Sequence, residues 1–397
     1  MSRILMLTNI YPIPNVKMVG TTSVCHYFAK EWVKLGHEVI VIYNYTIYAP
    51  LLHKIANISE EKIANIFPTA INKNRYTQPF SYELDGVRVY LLPCYKTVPK
   101  ISFPESSIDN SFEKTKRYLD NCKFAPDIIC AHFLHPGISI LSKLSFVYKC
   151  KIALILHGEI FRKYDIVSIK KYSKDIDLWG FRSNPIKNSF IHNCFNPQYS
   201  FLCFSGVPKN YINKIAYTKH GSTGIHKYIY VGNLIKRKYP VSVVRALIKS
   251  GCDFSLNIIG DGDQKRAISK IKKHLVTDKI NLLGRLPRDV VSKYMLDAEC
   301  FIMISKQETF GLVYLEAMGN GCITIASKNE GMDGIIIDGV NGFLCEAGNE
   351  QQLSQILTKI NRLSIEEKSI IARNAISTAE NMIDELMAKH YLNALMS

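Results

Sequence analysis

The sequence lacks any apolar run of the roughly 18 residues needed to span a bilayer. Its start, MSRILMLTNIYPIP, lacks the long apolar core and small-residue cleavage site of a signal peptide. The 11 cysteines are odd in number, include no Cys-x-x-Cys pair and show no metal-ligand spacing. These absences argue against a membrane-spanning or disulfide-rich secreted protein. We therefore expect a cytoplasmic chain whose cysteines are reduced and mostly buried.

Acidic residues are few relative to basic ones: 34 Asp and Glu stand against 50 Lys and Arg, a formal charge of +16. Such a surplus attracts phosphates, nucleic acid or an anionic membrane face, although a solvated basic surface gives the same number. The charge is spread along the chain, and aromatic-interleaved RNA-binding signatures and zinc-finger patterns are missing. We expect no nucleic-acid partner, which leaves anionic small substrates and a membrane surface.

Strand-like apolar runs alternate with helical periodicity along most of the chain. RILMLTNI leads through a loop to an amphipathic helix that ends near Gly36, and a strand begins at Glu38, which makes a βαβ unit. A second series of strands begins with KYIYVGN and continues with FSLNIIG, INLLGRL, CFIMIS, CITIAS and GFLCEA. A chain of 397 residues is long for one core. We predict an α/β fold of two doubly wound parallel-sheet domains.

The boundary between the domains is predicted where glycine, serine and threonine cluster, in YTKHGSTGIHK. The N-terminal domain is then residues 1–216, the linker 217–226 and the C-terminal domain 227–375. Residues 376–397 read as a helix that packs back on the N-terminal domain. The loop between about residues 47 and 83 is the least legible part.

Two glutamates eight positions apart stand out in QETFGLVYLEAMGNG. Glu308 follows a buried strand, and a helix is predicted to begin near Gly311, so that Glu316 lies one to two turns into it. The first amides of such a helix bind phosphate, and carboxylates flanking them suit sugar hydroxyls. Either glutamate alone fits a simpler interpretation, as an acid near a helix start or a solvated helix residue.

ETFGLVYLEAMGNG resembles the Glu-x7-Glu signature of glycosyltransferase family 4, part of the glycosyl transferases group 1. YIYVGNLIKRK, FSLNIIGDGD, INLLGRLPRDVVSKYMLDAECFIMIS and CITIASKNEGMDGIIIDGVNGFLCEAGN resemble the neighbouring segments of that family, in the same order. The resemblance is dense over residues 226–350 and sparse in the first half. It implies the GT-B fold, in which two Rossmann-like domains face a central cleft, and a retaining transferase.

The resemblance also assigns roles to residues of the donor site. Glu316 would bind the ribose of the donor nucleotide and Glu308 the hydroxyls of the transferred sugar. Lys238 corresponds to the lysine of an Arg-x4-Lys pair that neutralises the diphosphate; an ordinary exposed lysine is the alternative. Asn233 stands where the arginine is usual, so either Lys236 or Arg237 compensates or donor affinity is lower. The amides that would hold sugar and diphosphate belong to Phe310, Gly311, Leu312 and Val313.

Further candidates follow from the same resemblance. Gly20 and Thr21, in VGTTS, match a glycine loop near the diphosphate, and His157, at a strand end in ILHGE, matches a histidine facing the sugar. His132 and His135 are weaker candidates that line the site. The candidate catalytic residues are therefore Glu308, His157 and Lys238, and the glycines 260 and 262 are assigned to the floor of the nucleotide pocket.

The Asp-x-Asp pattern in GDGD suggests a metal site, but it directly follows the strand SLNII and matches a glycine turn. We therefore expect no metal and no cofactor besides the nucleotide-sugar co-substrate.

The resemblance predicts a retaining, hexosyltransferase-type enzyme. It would move sugar from a nucleotide-diphosphate sugar to a saccharide or lipid-linked saccharide in bacterial capsule, exopolysaccharide or other surface polysaccharide biosynthesis. The many lysines and arginines of residues 143–188 are consistent with peripheral contact at the inner face of the cell membrane. A non-catalytic GT-B partner subunit, which the asparagine at position 233 favours, and a nucleotide-sugar epimerase are the alternatives.

Overall fold

The computed structural model describes residues 1–16, 23–50, 52–53, 74–98, 101–158, 162–221, 226–275 and 278–397. They form two compact units. The first comprises Met1–Arg182, Ile186–Cys203 and Met387–Ser397, and the second comprises Ser183–Pro185 and Phe204–Leu386.

The second unit thus begins ahead of the predicted linker 217–226. The reason is that the preceding segment already bonds to this unit. The Asn213 amide donates to the Gly319 carbonyl at 2.8 Å, and Lys219 Nζ donates to the carbonyls of Met295 and Asn320 at 2.9 and 2.8 Å. Residues 222–225 of the predicted linker lie outside the described residues.

The first unit is built on an eight-stranded sheet in which only the pairing of β3 with β4 is antiparallel. Its strand order is β3-β4-β2-β1-β5-β6-β7-β8. The strands are β1 Arg3–Thr8, β2 Glu38–Ile47, β3 Phe80–Leu84, β4 Val87–Tyr95, β5 Ile128–His132, β6 Lys151–Leu156, β7 Leu178–Phe181 and β8 Ser200–Leu202.

Six helices accompany this sheet in the described residues. They are α1 Val24–Lys34, α2 Glu105–Asn121, α3 Gly137–Ser145, α4 Lys163–Tyr172, α5 Asn184–Asn193 and the last helix of the chain, α12 Asp384–Met396. α12 reaches the first unit through Trp32, whose indole N–H donates to the Ala388 carbonyl at 2.9 Å, and through Tyr391, whose ring lies 4.9 Å from that of Trp32. A buried apolar core that includes Leu5, Ile129 and Leu154 holds the central strands.

The second unit is built on a six-stranded, wholly parallel sheet. Its strand order is β11-β10-β9-β12-β13-β14. The strands are β9 His226–Val231, β10 Phe254–Ile259, β11 Ile280–Gly284, β12 Cys300–Ile302, β13 Ile323–Ser327 and β14 Phe343–Cys345. The helices are α6 Pro240–Ser250, α7 Lys265–Leu275, α8 Arg288–Asp297, α9 Leu312–Gly319, α10 Glu350–Arg362 and α11 Ile365–Glu380.

Each sheet has a point where the chain changes the direction in which it adds strands. In the first unit this point lies between β1 and β5, and in the second between β9 and β12. Loops that leave the carboxyl ends of two such strands diverge, and the crevice between them is where open α/β sheets bind ligands. The predicted α/β class with two parallel sheets is therefore confirmed, and it defines two crevices to inspect. Among the described residues, no helix combines the length and apolar character needed to cross a bilayer.

Candidate active site

The crevice of the second unit is formed by the loops that follow β9 and β12. The β9 loop carries Asn233 to Lys238, and the β12 loop carries Ser305 to Gly311. The two loops are tied together, because the Lys306 amide donates to the Arg237 carbonyl at 2.8 Å. Two predicted site residues that are 70 positions apart in sequence thus meet at one sheet edge.

Lys238 and Glu308 form a largely buried ion pair in this crevice. Lys238 Nζ donates to Glu308 Oε2, and the side chains are only 11% and 14% exposed. Ser305 Oγ donates to the same carboxylate oxygen at 3.2 Å. Lys238 is therefore not an ordinary exposed lysine. Removing two charges from water is costly unless the charged groups pair with each other or bind a ligand. Buried charged groups of this kind recur at functional sites.

The backbone at Glu308 is held by a third carboxylate, Glu330, which the sequence reasoning missed. The Glu308 amide donates to Glu330 Oε2 at 2.6 Å, and the Gly331 amide donates to the Glu308 carbonyl at 2.9 Å. Burial raises the pKa of the Glu330 carboxyl, and the nearby Glu308 charge raises it further, against the backbone amides that lower it. No spacing in KNEG signals this role, since it depends on the loop after β13 folding onto the loop after β12.

Gly311 makes the turn from the β12 loop into helix α9. Its φ is +85°, and a Cβ there would lie 2.5 Å from ring atoms of Tyr314, so both the conformation and the space require glycine. The helix begins at Leu312, one residue after the predicted start. Its first amides, including those of Leu312 and Val313, precede the first intrahelical bonds, and they form the positive end of the helix beside the Lys238–Glu308 pair.

Glu316 lies in the second turn of α9 and is only 7% exposed. Arg288, at the start of α8, donates to Glu316 Oε1 from Nε at 2.9 Å and from Nη2 at 2.5 Å. The Arg288 guanidinium also lies 4.8 Å from the ring centroid of Tyr211. Glu316 is thus an oriented, paired carboxylate rather than a solvated helix residue. Sequence reasoning did not single out Arg288, although its position in LPRD follows a predicted strand.

The glycines of GDGD pack against the β9 loop. A Cβ on Gly260 would lie 1.9 Å from the Gly232 carbonyl oxygen, and one on Gly262 would lie 2.4 Å from the Leu234 carbonyl oxygen. Between them, the Asp261 carboxylate accepts from the Gly262 amide at 2.9 Å. The turn therefore serves close backbone packing, and its assignment to the floor of the nucleotide pocket stays a prediction. Asn233 itself is exposed on this loop, as are Lys236 and Arg237.

The described residues contain no group of three or more His, Cys, Asp and Glu side chains that could hold a metal ion. The expected absence of a metal from the reaction stays a prediction, because it concerns the loaded enzyme.

In the first unit, His157 follows β6 and lies beside His132 at the end of β5. His132 Nδ1 and His157 Nε2 are 2.8 Å apart, the Tyr391 hydroxyl lies 3.3 Å from His132 Nε2, and the Phe133 ring stacks on His157 at 4.0 Å. Burial lowers the pKa of His132 to about 3 and that of His157 well below its usual value. Both rings are neutral near pH 7, so one donates and the other accepts.

The structure therefore brings Lys238, Glu308, the α9 start and the GDGD turn together in the second unit, with Glu316 farther along α9. His157 belongs to the first unit, and its predicted role toward the sugar stays a prediction. The predicted glycine-loop residues Gly20 and Thr21 lie outside the described residues.

A family model matches much of the second unit. The model for glycosyl transferases group 1 matches residues 219–378, which is less than half of the chain. The group 1 segment contains every candidate residue of the second unit, from Asn233 to Glu316.

Two relatives and one solved structure extend the similarity beyond the group 1 segment. The chain is 25% identical over 241 residues to N-acetyl-alpha-D-glucosaminyl L-malate synthase of Bacillus anthracis, a match that covers 56% of this chain and 62% of that protein. It is 27% identical over 326 residues to an uncharacterized glycosyltransferase of Methanocaldococcus jannaschii, covering 80% of this chain and 87% of that one. HepE of Anabaena, solved in complex with UDP, superposes with a TM-score of 0.69 at 16% identity over 99% of both chains.

These similarities confirm the predicted GT-B fold, because the solved neighbour matches the chain over its full length and the group 1 segment coincides with one of its two parallel-sheet units. Together with the curated relatives, they support a glycosyltransferase of the GT-B type.

Proposed function

We propose that the protein is a retaining, hexosyltransferase-type glycosyltransferase whose donor is a nucleotide-diphosphate sugar bound by the second unit. The observation that carries this proposal is the buried Lys238–Glu308 pair at the β9/β12 switch point, beside the amino end of α9. A fixed cation, a hydroxyl-accepting carboxylate and helix amides in one crevice are the groups that a sugar diphosphate requires.

Lys238 and the amides of Phe310 to Val313 would take the charge of the donor diphosphate. That charge grows as the bond between the sugar C1 and the diphosphate oxygen breaks, so these groups stabilise the transition state more than the bound donor. Because the Lys238 ammonium is already held by Glu308 and its loop, little reorganisation is needed when the donor arrives. Glu308 would accept hydrogen bonds from hydroxyls of the transferred sugar.

Retention requires the acceptor oxygen to bond to C1 on the face from which the diphosphate leaves. In that geometry the departing diphosphate oxygen lies next to the acceptor hydroxyl and takes its proton, so that no protein base is needed. Glu316, oriented by Arg288, would accept from the ribose hydroxyls of the nucleotide. His157 would contact the sugar as a neutral ring.

The proposed acceptor is a saccharide or lipid-linked saccharide of bacterial surface polysaccharide biosynthesis, reached at the anionic inner face of the membrane. The resemblance in sequence and the charge of +16 support this part of the proposal. One exposed feature of the first unit is consistent with it: Phe146, at the end of α3, is 81% exposed and is followed by the exposed Lys149. Co-sedimentation with anionic vesicles that is suppressed by salt supports contact, and no binding at low salt excludes it.

The central test measures donor binding and turnover together. Purified protein is screened against UDP-, GDP- and ADP-sugars by thermal shift and by release of nucleotide, beside Lys238→Ala, Glu316→Ala and the exposed-residue control Lys249→Ala. We expect one class of donor to stabilise the wild type and the control but neither site variant. A transferase is refuted if no nucleotide sugar binds or turns over with saccharide and lipid-linked acceptors present.

A non-catalytic GT-B subunit is the second candidate, because Asn233 provides no cation where the resemblance implies an arginine. This candidate predicts donor binding without turnover. Turnover gained by Asn233→Arg in an otherwise inactive chain would support it, and turnover by the wild type excludes it.

A further inference from the structure

The switch point of the first unit carries a cluster of titratable side chains that the proposed mechanism does not use. His135 follows β5 and Asn9 follows β1, the two strands that flank this switch point. Their loops are tied together, since Asn9 Nδ2 donates to the His135 carbonyl at 3.1 Å. Arg162 and Asp165 stand at the amino end of α4, after the neighbouring strand β6. The cluster therefore lies at the edge of the sheet where ligands bind.

A single buried carboxylate, that of Asp165, organises the cluster. It accepts from His135 Nε2 at 3.1 Å and from Arg162 Nε and Nη2 at 2.7 and 2.9 Å. The Tyr164 ring stacks on His135 at 4.4 Å, with its hydroxyl 3.1 Å from His135 Nδ1. The His135 ring and the Arg162 fork are thus fixed in orientation, and the charge of Asp165 is already shared.

Lys96 adds a second cation to this edge without a carboxylate of its own. It follows β4, is half-buried, and its ammonium lies 4.8 Å from the centroid of the Phe103 ring. Lys96 forms no salt bridge with any of the described residues. The nearby carboxylate, that of Asp165, pairs instead with His135 and Arg162. Burial lowers the pKa of Lys96, and repulsion from Arg162 lowers it further. A half-buried ammonium that repels its neighbour destabilises the unliganded fold.

We propose that Lys96 and Arg162, on a frame fixed by Asp165 and His135, form a binding site for a compact oxyanion, a phosphate or carboxylate carried by the acceptor. Lys96 supplies a point charge, and Arg162, whose Nε and Nη2 hold Asp165, offers its remaining guanidinium protons to the anion. The Oδ1 atom of Asn9 is buried and has no hydrogen-bond partner among the described residues, so it offers an acceptor for a hydroxyl next to the anion. The assignment of the anion to the acceptor rests on the proposed transferase function. The binding of an oxyanion at this site does not depend on that function.

The test measures oxyanion binding in the full chain without any nucleotide sugar. Inorganic phosphate, and in a second arm succinate, replaces chloride at constant ionic strength while thermal unfolding is followed. We expect phosphate, succinate or both to raise the Tm of the wild type; the more effective of the two identifies the class of anion. In Lys96→Met and Arg162→Gln, the apparent dissociation constant should rise at least about tenfold, as loss of one charge-assisted contact implies.

Two controls locate the binding. Lys149→Met removes an exposed lysine of the same unit and should keep the full response. Lys238→Met should keep it as well, and a response that disappears only in Lys238→Met assigns phosphate to the donor site and overturns the proposal. Without added anion, Lys96→Met should unfold at an equal or higher Tm than the wild type, because it removes a repelled, half-buried cation. A lysine with a structural role would give a lower Tm.

The proposal is overturned if neither anion stabilises the wild type, or if Lys96→Met and the more conservative Lys96→Gln respond like the wild type. A failure of the proposed transferase function can be distinguished from a failure of the proposed anion site. Nucleotide-sugar turnover with a response insensitive to Lys96 refutes the anion site alone. A Lys96-dependent response without any turnover leaves the anion site standing and refutes the transferase.

Discussion

The two switch points of this molecule bury polar groups in opposite ways. In the second unit, Lys238 and Glu308 are buried together as an ion pair. In the first, two adjacent histidines are buried as neutral rings, since burial lowers the pKa of both. A charged pair suits a ligand that brings its own charge, whereas neutral rings suit hydroxyl groups.

The two sites are also held in place by different kinds of contact. The Lys238–Glu308 pair depends on backbone held by Gly311 and Glu330, so its geometry is fixed by the loops. The His132–His157 contact depends on side-chain packing against Phe133 and on the Tyr391 hydroxyl of the last helix. Variants at the Lys238–Glu308 pair should therefore lose stability because a charge or a backbone conformation is lost. Variants at the histidine pair should instead change how stability depends on pH.

The largest effect is expected from Lys238→Ala. It leaves the Glu308 carboxylate buried without its cation, which should cost about 3–5 kcal/mol of unfolding free energy. Donor turnover should fall by at least about 100-fold, because the growing diphosphate charge loses its fixed cation. Urea unfolding and initial rates measure the two losses, with Lys249→Ala as the exposed control. A Lys238→Ala protein as stable and active as Lys249→Ala contradicts the assignment.

Gly311→Ala should give the next largest effect, and Gly36→Ala is its matched control. Both glycines have similar positive φ, +85° and +87°, so alanine costs about 1–2 kcal/mol at each through the left-handed backbone. Only at Gly311 would the new Cβ meet a ring, that of Tyr314, which adds about 1–3 kcal/mol of overpacking. The measurement is urea unfolding of both variants. Equal losses of stability would show that the ring moves aside.

Much of the second unit was predictable from sequence because its strands are short, buried and bounded by glycine. Each of the six predicted runs overlaps an observed strand. In the first unit, β3 was missed because FSYEL is an edge strand whose residues are half-buried or exposed, and β7 was missed because LWGF has only four residues. FSYEL lacks the continuous apolar run that signals a central parallel strand, and the buried run LWGF is short and interrupted by glycine.

The site was less predictable, because its contacts join loops that are distant in sequence. Glu308 and Lys238 were found through motifs, but their direct pairing follows only from β9 and β12 being neighbours. Glu330 and Arg288 hold the two motif glutamates from 22 and 28 positions away, and no local pattern marks them. The cluster around Asp165 was missed for the same reason, although His135 had been noted as a weak candidate.

The histidine contact should show itself as a dependence of stability on pH. The folded pKa of His132, about 3, lies below the unfolded value of 6.5, so the unfolded chain binds the proton first. The stability from this residue is complete above pH 6.5 and is lost as pH falls from 6.5 towards 3, by at most about 1.4 kcal/mol per pH unit. His132→Gln should flatten this slope in urea unfolding between pH 6.5 and 5. An unchanged slope means that His132 is already exposed to protonation in the folded chain.

The smallest effect is expected at Glu330, and its sign is opposite. The folded pKa of this carboxyl lies above the usual 4.5, so its contribution to stability is complete below pH 4.5 and is lost as pH rises through the folded pKa. Glu330→Gln still accepts from the Glu308 amide but carries no charge against Glu308. Relative to the wild type, this variant should therefore gain stability as pH rises from 4.5 to 7.5, measured by urea unfolding. Glu330→Ala also removes the titrating carboxyl, so it should show the same gain with pH, but from a lower stability at every pH because the Glu308 amide loses its acceptor. It should also lower donor turnover by loosening the Glu308 backbone. If neither variant gains stability over the wild type as pH rises, Glu330 does not titrate as inferred. If Glu330→Ala is as stable and active as Glu330→Gln, Glu330 does not position Glu308, and the contrast between a loop-held charged pair and packed neutral rings loses one of its supports.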